Sequence, residues 1–385
     1  MTEVFRPAWV EVDLGAIRAN VAALSALVAP AGVCAVVKAD AYAHGATAVA
    51  RAALEGGASW LAVALVEEGV ALREAGIDAP ILLLSEPTPE GIDEAVARDL
   101  TLSCYRAKAI ARAARAAASL GVTAEVQLKV DTGMHRVGCA PAEAPALAAA
   151  IAAAPSLRFG ALWTHFAVAD EPDHPFTARQ LARLEEVAAV LGAHGLRPPL
   201  LHAANSAGAL LHPRSRLDLV RCGIATYGYH PTPHHRPVAL SPALSWKAKV
   251  QLVRELEAGE AVSYGLRYRL ERRSRIAVVP LGYHDGVPRR LAAAGGEVLI
   301  GGRRRPIAGT VTMDQLMIDC GPAGEGKVAV GDEAVLIGRQ GAEAISADEW
   351  AQRLGTISYE VLCAIGPRVP RRVVDTGWPG ARARG

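Results

Sequence analysis

Short apolar runs alternate with alanine-rich stretches from about residue 15 to about residue 230. The apolar runs have strand length, whereas the stretches between them have helical length and several end at glycine. Strands that alternate with helices are typical of a parallel sheet. About eight such units predict a (β/α)8 barrel within an α/β fold, with a doubly wound open sheet as the alternative. The predicted strands are VCAVVK (33–38), WLAVAL (60–65), PILLLS (80–85), LTLSC (100–104), AEVQLKV (124–130), FGALWTH (159–165), LLHAAN (200–205) and LDLVRCG (217–223).

The pattern changes at HPTPHHRPVALSPALS (230–245), whose prolines and histidines we interpret as a linker. Beyond it, β-like runs such as RIAVVPLGY (275–283) are separated by glycine and predict a mainly β domain. The strand-like AWVEVDL near the N-terminus is expected to pair with that domain. We therefore expect two domains: the barrel at 12–233, and a mainly β C-terminal domain at 234–385 together with the N-terminal strand 1–11.

Composition narrows the class of protein. The chain has 385 residues and a formal net charge of +2, with acids and bases interspersed, so neither nucleic acid nor a membrane surface is an expected partner. No apolar run reaches membrane-spanning length, and the N-terminus lacks a signal-peptide pattern. The six cysteines form no CxxC pair, which favours reduced thiols and a cytoplasmic location.

Lys38 stands at the end of the apolar strand CAVVK. Desolvation lowers the pKa of a lysine and leaves a neutral, nucleophilic amine, so Lys38 is a candidate for Schiff-base formation. The alternative is a lysine whose ammonium extends to solvent at the rim of the barrel.

Polar residues also stand at the ends of other predicted strands, where barrel enzymes place their active sites. Each has an ordinary explanation as well: Ser206 as a helix cap, Gly223 as a turn, and the charges of LKVDTGMHRVG as a solvated cluster. The tyrosines of SYGLRY and ISYE are alternatively core or interface residues. The histidines of YHPTPHH are irregularly spaced and lack partners, so we expect no metal. The strand-end residues are Lys38, Tyr42, Lys129, Asp131, Arg136, His165, Asn205, Ser206, Arg221 and Gly223.

Nine motifs in a fixed order make a more specific pattern. VKADAYAHG is followed by KVDTGMHRVG, THFA, NSAG, VRCGIATYG, VSYG, GYHDG, TMDQ and ISYE. From about residue 6 to residue 375 the chain thereby resembles the alanine racemase family, enzymes that bind pyridoxal 5′-phosphate in a barrel followed by a β domain.

The resemblance implies a role for each motif. Lys38 holds the cofactor as a Schiff base and serves as one acid/base group, and Tyr264 serves as the other on the opposite face of the substrate. It also implies interconversion of L- and D-alanine, supply of D-alanine for peptidoglycan of the bacterial cell wall, and a homodimer with shared active sites. The other cofactor-binding residues are Tyr42, His165, Asn205, Ser206, Arg221, Gly223, Ile224 and Tyr359. Arg136 and Met313 bind the substrate, and Lys129, Asp314 and Tyr283 support the site.

Two of these roles are distinctive. Arg221 faces the pyridine nitrogen and, being permanently charged, cannot accept its proton. Lys129 matches a lysine that is carbamylated in several members of the family, where it orients the arginine that corresponds to Arg136.

The chain departs from the family at three positions. Thr310 and Thr312 replace an arginine and a cysteine, and the arginine helps to line the passage to the active site. His135 stands where small residues are usual. These departures do not affect the catalytic assignment. Those at Thr310 and Thr312 affect only the passage to the active site.

Three other functions are considered. A racemase of serine or another small amino acid has the same motifs. A decarboxylase of basic amino acids shares the architecture, but such enzymes carry a carboxylate in place of Arg221 and a Cys-Asp pair, and neither Cys320 nor Cys363 precedes aspartate. A non-catalytic barrel that carries the cofactor would leave Tyr264 without a role.

Overall fold

The computed structural model of the chain describes residues 5–232, 234–323 and 327–377. These residues form two compact units. The barrel unit comprises residues 14–41, 46–242 and 377, and the β unit comprises residues 5–13, 42–45 and 243–376. The ends of the expected domains at residues 1, 233 and 385 lie outside the described residues.

All eight strands that the sequence predicts for the barrel are present, each with shifts of a few residues at its ends. The first strand of the chain, β1 (Ala8–Asp13), belongs to the β unit. The barrel strands are β2 (Gly32–Val36), β3 (Trp60–Val63), β4 (Ile81–Leu83), β5 (Leu102–Cys104), β6 (Ala124–Lys129), β7 (Leu157–Trp163), β8 (Leu200–His202) and β9 (Leu219–Cys222).

The barrel strands close into a ring. They pair in parallel in two groups, with the orders β4-β3-β2-β9 and β5-β6-β7-β8. Leu83 donates a backbone hydrogen bond to Thr101 (2.9 Å), which joins β4 to the β5 segment. Asp218 donates to Leu201 (3.1 Å), which joins the β8 and β9 segments. Closure confirms the predicted barrel and excludes the open sheet, and it brings the carboxyl ends of the strands to one mouth.

Alanine-rich helices surround these strands because alanine has the highest helix propensity. In α6, for example, Ala109, Ala113 and Ala117 form a buried face, and Gly121 ends the helix in a left-handed conformation with φ of 67°. The helices are α1 (Leu14–Val28), α2 (Lys38–Ala43), α3 (Ala46–Glu55), α4 (Val66–Glu74), α5 (Pro89–Ala97), α6 (Ala107–Leu120), α7 (Ala144–Ala152), α8 (Phe176–Ala193) and α9 (Ser206–Leu211). None of the described helices is long and apolar enough to cross a membrane.

The β unit is built mainly from two sheets. The larger has the order β16-β15-β18-β10-β1-β20, with β19 beside β18, and the smaller has the order β11-β14-β17. The strands are β10 (Leu244–Lys249), β11 (Leu252–Leu256), β12 (Ala261–Val262), β13 (Tyr268–Arg269), β14 (Ser274–Val279), β15 (Glu297–Ile300), β16 (Arg303–Pro306), β17 (Leu316–Pro322), β18 (Glu333–Gln340), β19 (Glu343–Ile345) and β20 (Arg371–Val374).

Strand β1 lies inside the larger sheet of the β unit. It pairs antiparallel with β10 and parallel with β20, which confirms that AWVEVDL forms a strand with the C-terminal segments. The unit also contains two helices that the sequence analysis missed, α10 (Ala347–Leu354) and α11 (Ser358–Cys363). Trp350 of α10 packs against Trp246 of β10, with ring centroids 6.0 Å apart and both side chains buried.

Candidate active site

A layer of cationic and aromatic side chains crosses four neighbouring barrel strands. Lys129 on β6 is in register with Trp163 on β7, and Trp163 is in register with His202 on β8. The Trp163 ring lies 4.1 Å from Lys129 Nζ, 4.6 Å from the guanidinium carbon of Arg221 and 5.3 Å from the His202 ring. The sequence analysis missed Trp163 and His202, although their register with Lys129 along parallel strands would have pointed to them.

Arg221 on β9 is the centre of a buried hydrogen-bond network. Its Nη1–H donates to His202 Nδ1 (2.7 Å), and its Nη2–H donates to His165 Nδ1 (3.1 Å) and to the carbonyls of Thr164 (2.8 Å) and Ala203 (2.9 Å). Burial lowers the pKa of Arg221 to about 10, so the guanidinium stays charged at neutral pH. Arg221 Nε is buried and has no hydrogen-bond partner among the described residues, so it can donate to a ligand.

Both histidines beside Arg221 are neutral. Burial, followed by the charge of Arg221, lowers the pKa of His165 and of His202 well below the ordinary value. Because each Nδ1 accepts a hydrogen bond from Arg221, the proton of each ring is on Nε2. His202 donates that proton to Gln127 Oε1 (3.0 Å), and His165 presents an Nε2–H donor.

Lys129 has an amine suited to chemistry at neutral pH. Its Nζ donates to the carbonyl of Leu84 (2.9 Å), and its side chain is buried. Burial, followed by the charges of Arg221, Arg136 and Lys38, lowers the pKa of Lys129 to about 7. A large fraction of the Lys129 amine is therefore unprotonated near pH 7. The barrel unit brings together four predicted site residues with basic side chains, Lys129, Arg221, Arg136 and Lys38.

The loop after β6 is held by Asp131. Its carboxylate accepts hydrogen bonds from Gly133 N (2.9 Å), His135 N (3.0 Å) and His135 Nδ1 (3.0 Å). Burial alone raises the pKa of Asp131, but the hydrogen bonds from His135 and Gly133 outweigh it and lower that pKa. His135 has φ of 57°, a left-handed backbone conformation that favours glycine. Arg136 follows on the exposed end of the loop.

The predicted helix cap at Ser206 is wrong. Asn205 is the cap of α9, because its side chain accepts a hydrogen bond from Gly208 N (2.9 Å). Ser206 Oγ instead accepts from Gly223 N (3.0 Å) and Ala225 N (3.4 Å), and it is buried. Ser206 therefore connects the loop after β8 to the loop after β9, which carries Gly223 and Ile224.

Lys38 begins a helical turn of unusual hand. The next five residues, 39–43, have φ between 51° and 64°, although none of them is glycine. Such left-handed turns are strained and need support from their surroundings. Glu68 of α4 supplies it, since Oε1 accepts from Ala39 N (2.5 Å) and Oε2 accepts from Ala64 N (2.8 Å). Lys38 itself is half-buried.

In the β unit, the segment 309–315 supports several predicted site residues. Its residue Thr312 accepts a backbone hydrogen bond from Tyr283 (2.9 Å), and Met313 accepts one from His284 (3.1 Å). The side chains of Tyr283 and Met313 are exposed. The β unit therefore brings Tyr283, Met313 and Asp314 together.

A buried carboxylate lies beneath these loops. Asp285 is fully buried and accepts hydrogen bonds from Arg6 (2.8 and 3.1 Å) and from Arg368 (2.6 and 3.2 Å). Arg368 also donates to Asp314 (2.7 Å), and Asp285 accepts from Gly282 N (2.9 Å). Asp285 thereby links the Tyr283 turn to Asp314. The sequence analysis missed Asp285, although it lies in the quoted motif GYHDG.

Tyr42 and Tyr359 also lie together in the β unit. Their ring centroids are 6.0 Å apart, and burial raises the pKa of the Tyr42 phenol. Tyr42 belongs to α2 and Tyr359 to α11, so the pair joins a turn that follows a barrel strand in sequence to a C-terminal helix.

The predicted site residues thus fall into two groups, each described within its own unit. The barrel unit holds Lys38, Lys129, Arg136, His165, Asn205, Ser206, Arg221, Gly223 and Ile224. The β unit holds Tyr42, Tyr264, Tyr283, Met313, Asp314 and Tyr359.

Comparison with known proteins identifies the family. Residues 12–231 match the alanine racemase N-terminal domain, and residues 243–373 match the alanine racemase C-terminal domain. The chain belongs to the alanine racemase family. An alanine racemase of Symbiobacterium thermophilum is 49% identical over 367 residues, which are 95% of this chain and 97% of that protein. The resemblance inferred from the nine motifs is therefore confirmed.

Solved structures of the alanine racemase fold agree with the architecture. The alanine racemase from D-cycloserine-producing Streptomyces lavendulae has a TM-score of 0.90 and 40% identity, covering 97% of this chain and 99% of its own. A histidine racemase from Leuconostoc mesenteroides has a TM-score of 0.88 and 30% identity, covering 97% and 99%. The predicted fold class is confirmed, and racemases with different named substrates share it.

Proposed function

We propose that this chain is a pyridoxal 5′-phosphate-dependent racemase that interconverts L-alanine and D-alanine. Membership of the alanine racemase family supports the reaction and the substrate. The observation that carries the cofactor assignment is the buried, partnerless Nε of Arg221, a cationic donor suited to the unprotonated nitrogen of a pyridine ring.

Other residues fit the remaining parts of this cofactor. When bound, pyridoxal phosphate delocalises the negative charge left after Cα loses its proton. Arg221 donates to the ring nitrogen but cannot protonate it at neutral pH, which limits the delocalisation and disfavours transamination. Lys38 would hold the cofactor covalently through its side-chain amine. Residues with phosphate-binding roles are Tyr42, Asn205, Ser206, Gly223, Ile224 and Tyr359.

Inversion at Cα requires two acid/base groups. A single base that removes and returns a proton on one face retains the configuration. Lys38 and Tyr264 serve the two faces, and each removes the proton in one direction of the reaction and delivers it in the other. The neutral His165 supports Tyr264, because its Nε2–H can donate a hydrogen bond to a phenolate oxygen while Arg221 fixes its tautomer.

Substrate binding uses the carboxylate of the amino acid. Arg136 and the backbone of Met313 hold it, with Tyr283 and Asp314 in support. The lowered pKa of Lys129 favours carbamylation, since only the unprotonated amine attacks carbon dioxide: the N–C bond forms as the electron pair of one C=O π bond moves to oxygen, and the nitrogen releases a proton. The carbamate then pairs with the Arg136 guanidinium and orients it.

The active site is shared between two copies of the chain. The side chain of Tyr264 is 73% exposed, and its neighbours Leu266 (64%) and Met313 (51%) are exposed as well. A group that transfers protons to Cα needs a site from which water is excluded. In a two-fold symmetric homodimer, the barrel of a second copy covers these loops. It excludes water from the site and packs against the apolar surface.

The biological setting follows from the reaction. D-alanine is a building block of peptidoglycan, so the product serves the bacterial cell wall. All six cysteines are free thiols, which supports a reducing cytoplasm.

One experiment tests the function and the cofactor. The purified holoprotein should absorb near ~420 nm and form D-alanine from L-alanine. Borohydride should attach the cofactor irreversibly to the peptide that contains Lys38. The ratio of kcat/KM on L-alanine to that on L-serine and L-histidine tests the substrate, and a higher value on either competitor contradicts the assignment. Attachment to another lysine contradicts the role of Lys38.

A further inference from the structure

The loop that carries Tyr264 is tied to the segment that carries Thr310. Thr310 Oγ1 donates a hydrogen bond to the carbonyl oxygen of Tyr264 (3.0 Å). Ser263 Oγ donates one to the carbonyl oxygen of Thr310 (2.6 Å). Two bonds of opposite direction therefore join residues 263–264 to residue 310, all within the β unit.

This loop has an unfavourable backbone. Ser263 has φ of 68° and Leu266 has φ of 47°, and Gly265 between them has φ of 78°. Side-chain-bearing residues with positive φ persist only where their surroundings determine the conformation. The two hydrogen bonds to residue 310 connect Ser263 and Tyr264 directly to a neighbouring segment, so they oppose relaxation of the loop.

Gly309 shows how closely the two segments approach. A Cβ at this position would lie 2.4 Å from the carbonyl oxygen of Val262 and 2.8 Å from Ser263 Cβ. With φ of 75°, the glycine turns the chain so that the Thr310 hydroxyl reaches the next loop. The contact between Thr310 and the loop that carries Tyr264 therefore depends on the backbone conformation of Gly309.

The position of the Tyr264 phenol depends on this backbone. Its side chain is 73% exposed, so packing within the β unit cannot fix the phenol. A shift of the Tyr264 carbonyl moves Cα and Cβ with it, and acid/base catalysis is sensitive to displacements of an ångström.

We propose that Thr310 is a positioning residue for Tyr264. Its hydroxyl, in place of the arginine usual in the family, holds the Tyr264 loop in the geometry needed for proton transfer, without touching the substrate. This inference rests on the proposed function, in which Tyr264 is one of the two acid/base groups. It assigns a structural role to a position at which the sequence departs from the family.

The test uses the full-length holoenzyme and two matched variants. Thr310→Val keeps the shape and removes the hydroxyl, whereas Thr310→Ser keeps the hydroxyl. With Thr310→Val, kcat for alanine should fall about three- to tenfold, as expected for loss of one hydrogen bond, with a smaller change in KM. With Thr310→Ser, kcat should stay within about twofold of wild type.

Isotope effects distinguish positioning from general damage. With Cα-deuterated alanine, Thr310→Val should increase the isotope effect in the direction in which Tyr264 removes the proton. It should decrease the effect in the other direction, in which Tyr264 only delivers one. Equal changes in both directions, or equal impairment of both variants, would overturn the proposal.

Amide hydrogen exchange tests the hydrogen bonding between Thr310 and the Tyr264 loop independently of enzymatic activity. Leu266 N donates to Ser263 O (3.1 Å), so exchange at Leu266 reports opening of the loop. Thr310→Val should accelerate exchange at the Leu266 amide at least threefold, and Thr310→Ser should not. An unchanged exchange rate in Thr310→Val would contradict the proposed role of the Thr310 hydroxyl in holding the loop. Ser263→Ala, which removes the other bond, should have the same effect and serves if Thr310→Val does not fold. If the wild-type protein does not racemise alanine, the proposed function is wrong. The exchange result still tests whether Thr310 holds the Tyr264 loop.

Discussion

At the scale of single residues, strained backbone lies beside several of the predicted site residues. Among the described residues, ten other than glycine have positive φ: five follow Lys38, one precedes Arg136, and two lie in the loop of Tyr264. Such residues cost stability, and they persist where neighbouring groups hold them, as Glu68 holds Ala39. Eight of these ten described residues therefore lie beside predicted site residues, whereas Asp99 and Leu217 do not.

Replacing Ala39 by glycine should stabilise the protein. Ala39 is exposed and has φ of 53°, so glycine loses few contacts and removes a steric cost. We expect the free energy of unfolding to rise by about 0.5–1 kcal/mol. The matched control is Ala111→Gly, at an exposed position of the right-handed helix α6, which should lower it by about 1 kcal/mol. Urea denaturation measures both, and a loss in Ala39→Gly equal to that of the control contradicts the strain.

Lys129 should make stability depend on pH. Its pKa is about 7 in the folded protein and 10.5 in the unfolded chain, so the unfolded chain binds more protons between these values. The free energy of unfolding therefore increases as the pH rises from about 7 to 10.5. The gain in the free energy of unfolding from Lys129→Met over wild type should be largest at pH 7 and below, and it should be smaller at pH 9.5.

Thermal unfolding in buffer freed of carbon dioxide measures this difference for Lys129→Met. Lys108→Met, which removes an exposed charge from α6, is the control for net charge. An advantage of Lys129→Met that is independent of pH would contradict the lowered pKa.

At the scale of elements, the loops of the β unit act as one support. Gly282 lies where a Cβ would be 2.3 Å from the carbonyl oxygens of Thr312 and Met313. These carbonyls accept the hydrogen bonds of Tyr283 and His284. The loop that carries Tyr283 and the segment that carries Met313 can therefore approach only because residue 282 has no side chain.

Gly282→Ala should separate the two segments. We expect a loss of about 1–3 kcal/mol in the free energy of unfolding, typical of overpacking against backbone, and a higher KM for alanine. Gly192→Ala is the control, because residue 192 is helical and a Cβ there would meet no described atom within 4 Å beyond the nearby backbone of its own helix, so this change should be neutral or stabilising. Denaturation and steady-state kinetics of both variants decide; an unchanged KM in Gly282→Ala argues against a shared support.

The sequence predicted the elements better than the contacts between them. The barrel strands followed from hydrophobic runs, because burial on both faces leaves a continuous apolar signature. The alternative interpretation of Ser206 as the cap of α9 was wrong, because adjacent polar residues before a helix can each cap it and only the contacts with Gly208 and Gly223 distinguish them. Helices α10 and α11 were missed because their short amphipathic patterns lie within a glycine-rich β region.

At the scale of the whole molecule, the predicted site residues are divided between the two compact units. Lys38 belongs to the barrel unit and Tyr264 to the β unit. The sequence indicated the order of the motifs but could not indicate which copy of the chain supplies each group, because sequence order carries no information about subunits.

Mixing two inactive variants should restore activity if the site is shared between copies. Lys38→Ala and Tyr264→Phe each remove one acid/base group. After subunit exchange, each mixed dimer has one site with both lesions and one with neither, so activity should recover to about a quarter of wild type. Exchange is verified separately with differently tagged subunits. No recovery despite exchange would mean that both groups of a site come from one chain.

The interior place of β1 in its sheet has a consequence for synthesis on the ribosome. The strand is made well before both of its neighbours, since β10 follows about 230 residues later and β20 later still. At about 5–20 residues per second, β1 waits roughly 12–46 s for its first partner. During that time the barrel segments emerge, while an apolar strand with two unpaired edges stays open to chaperones or to other nascent chains.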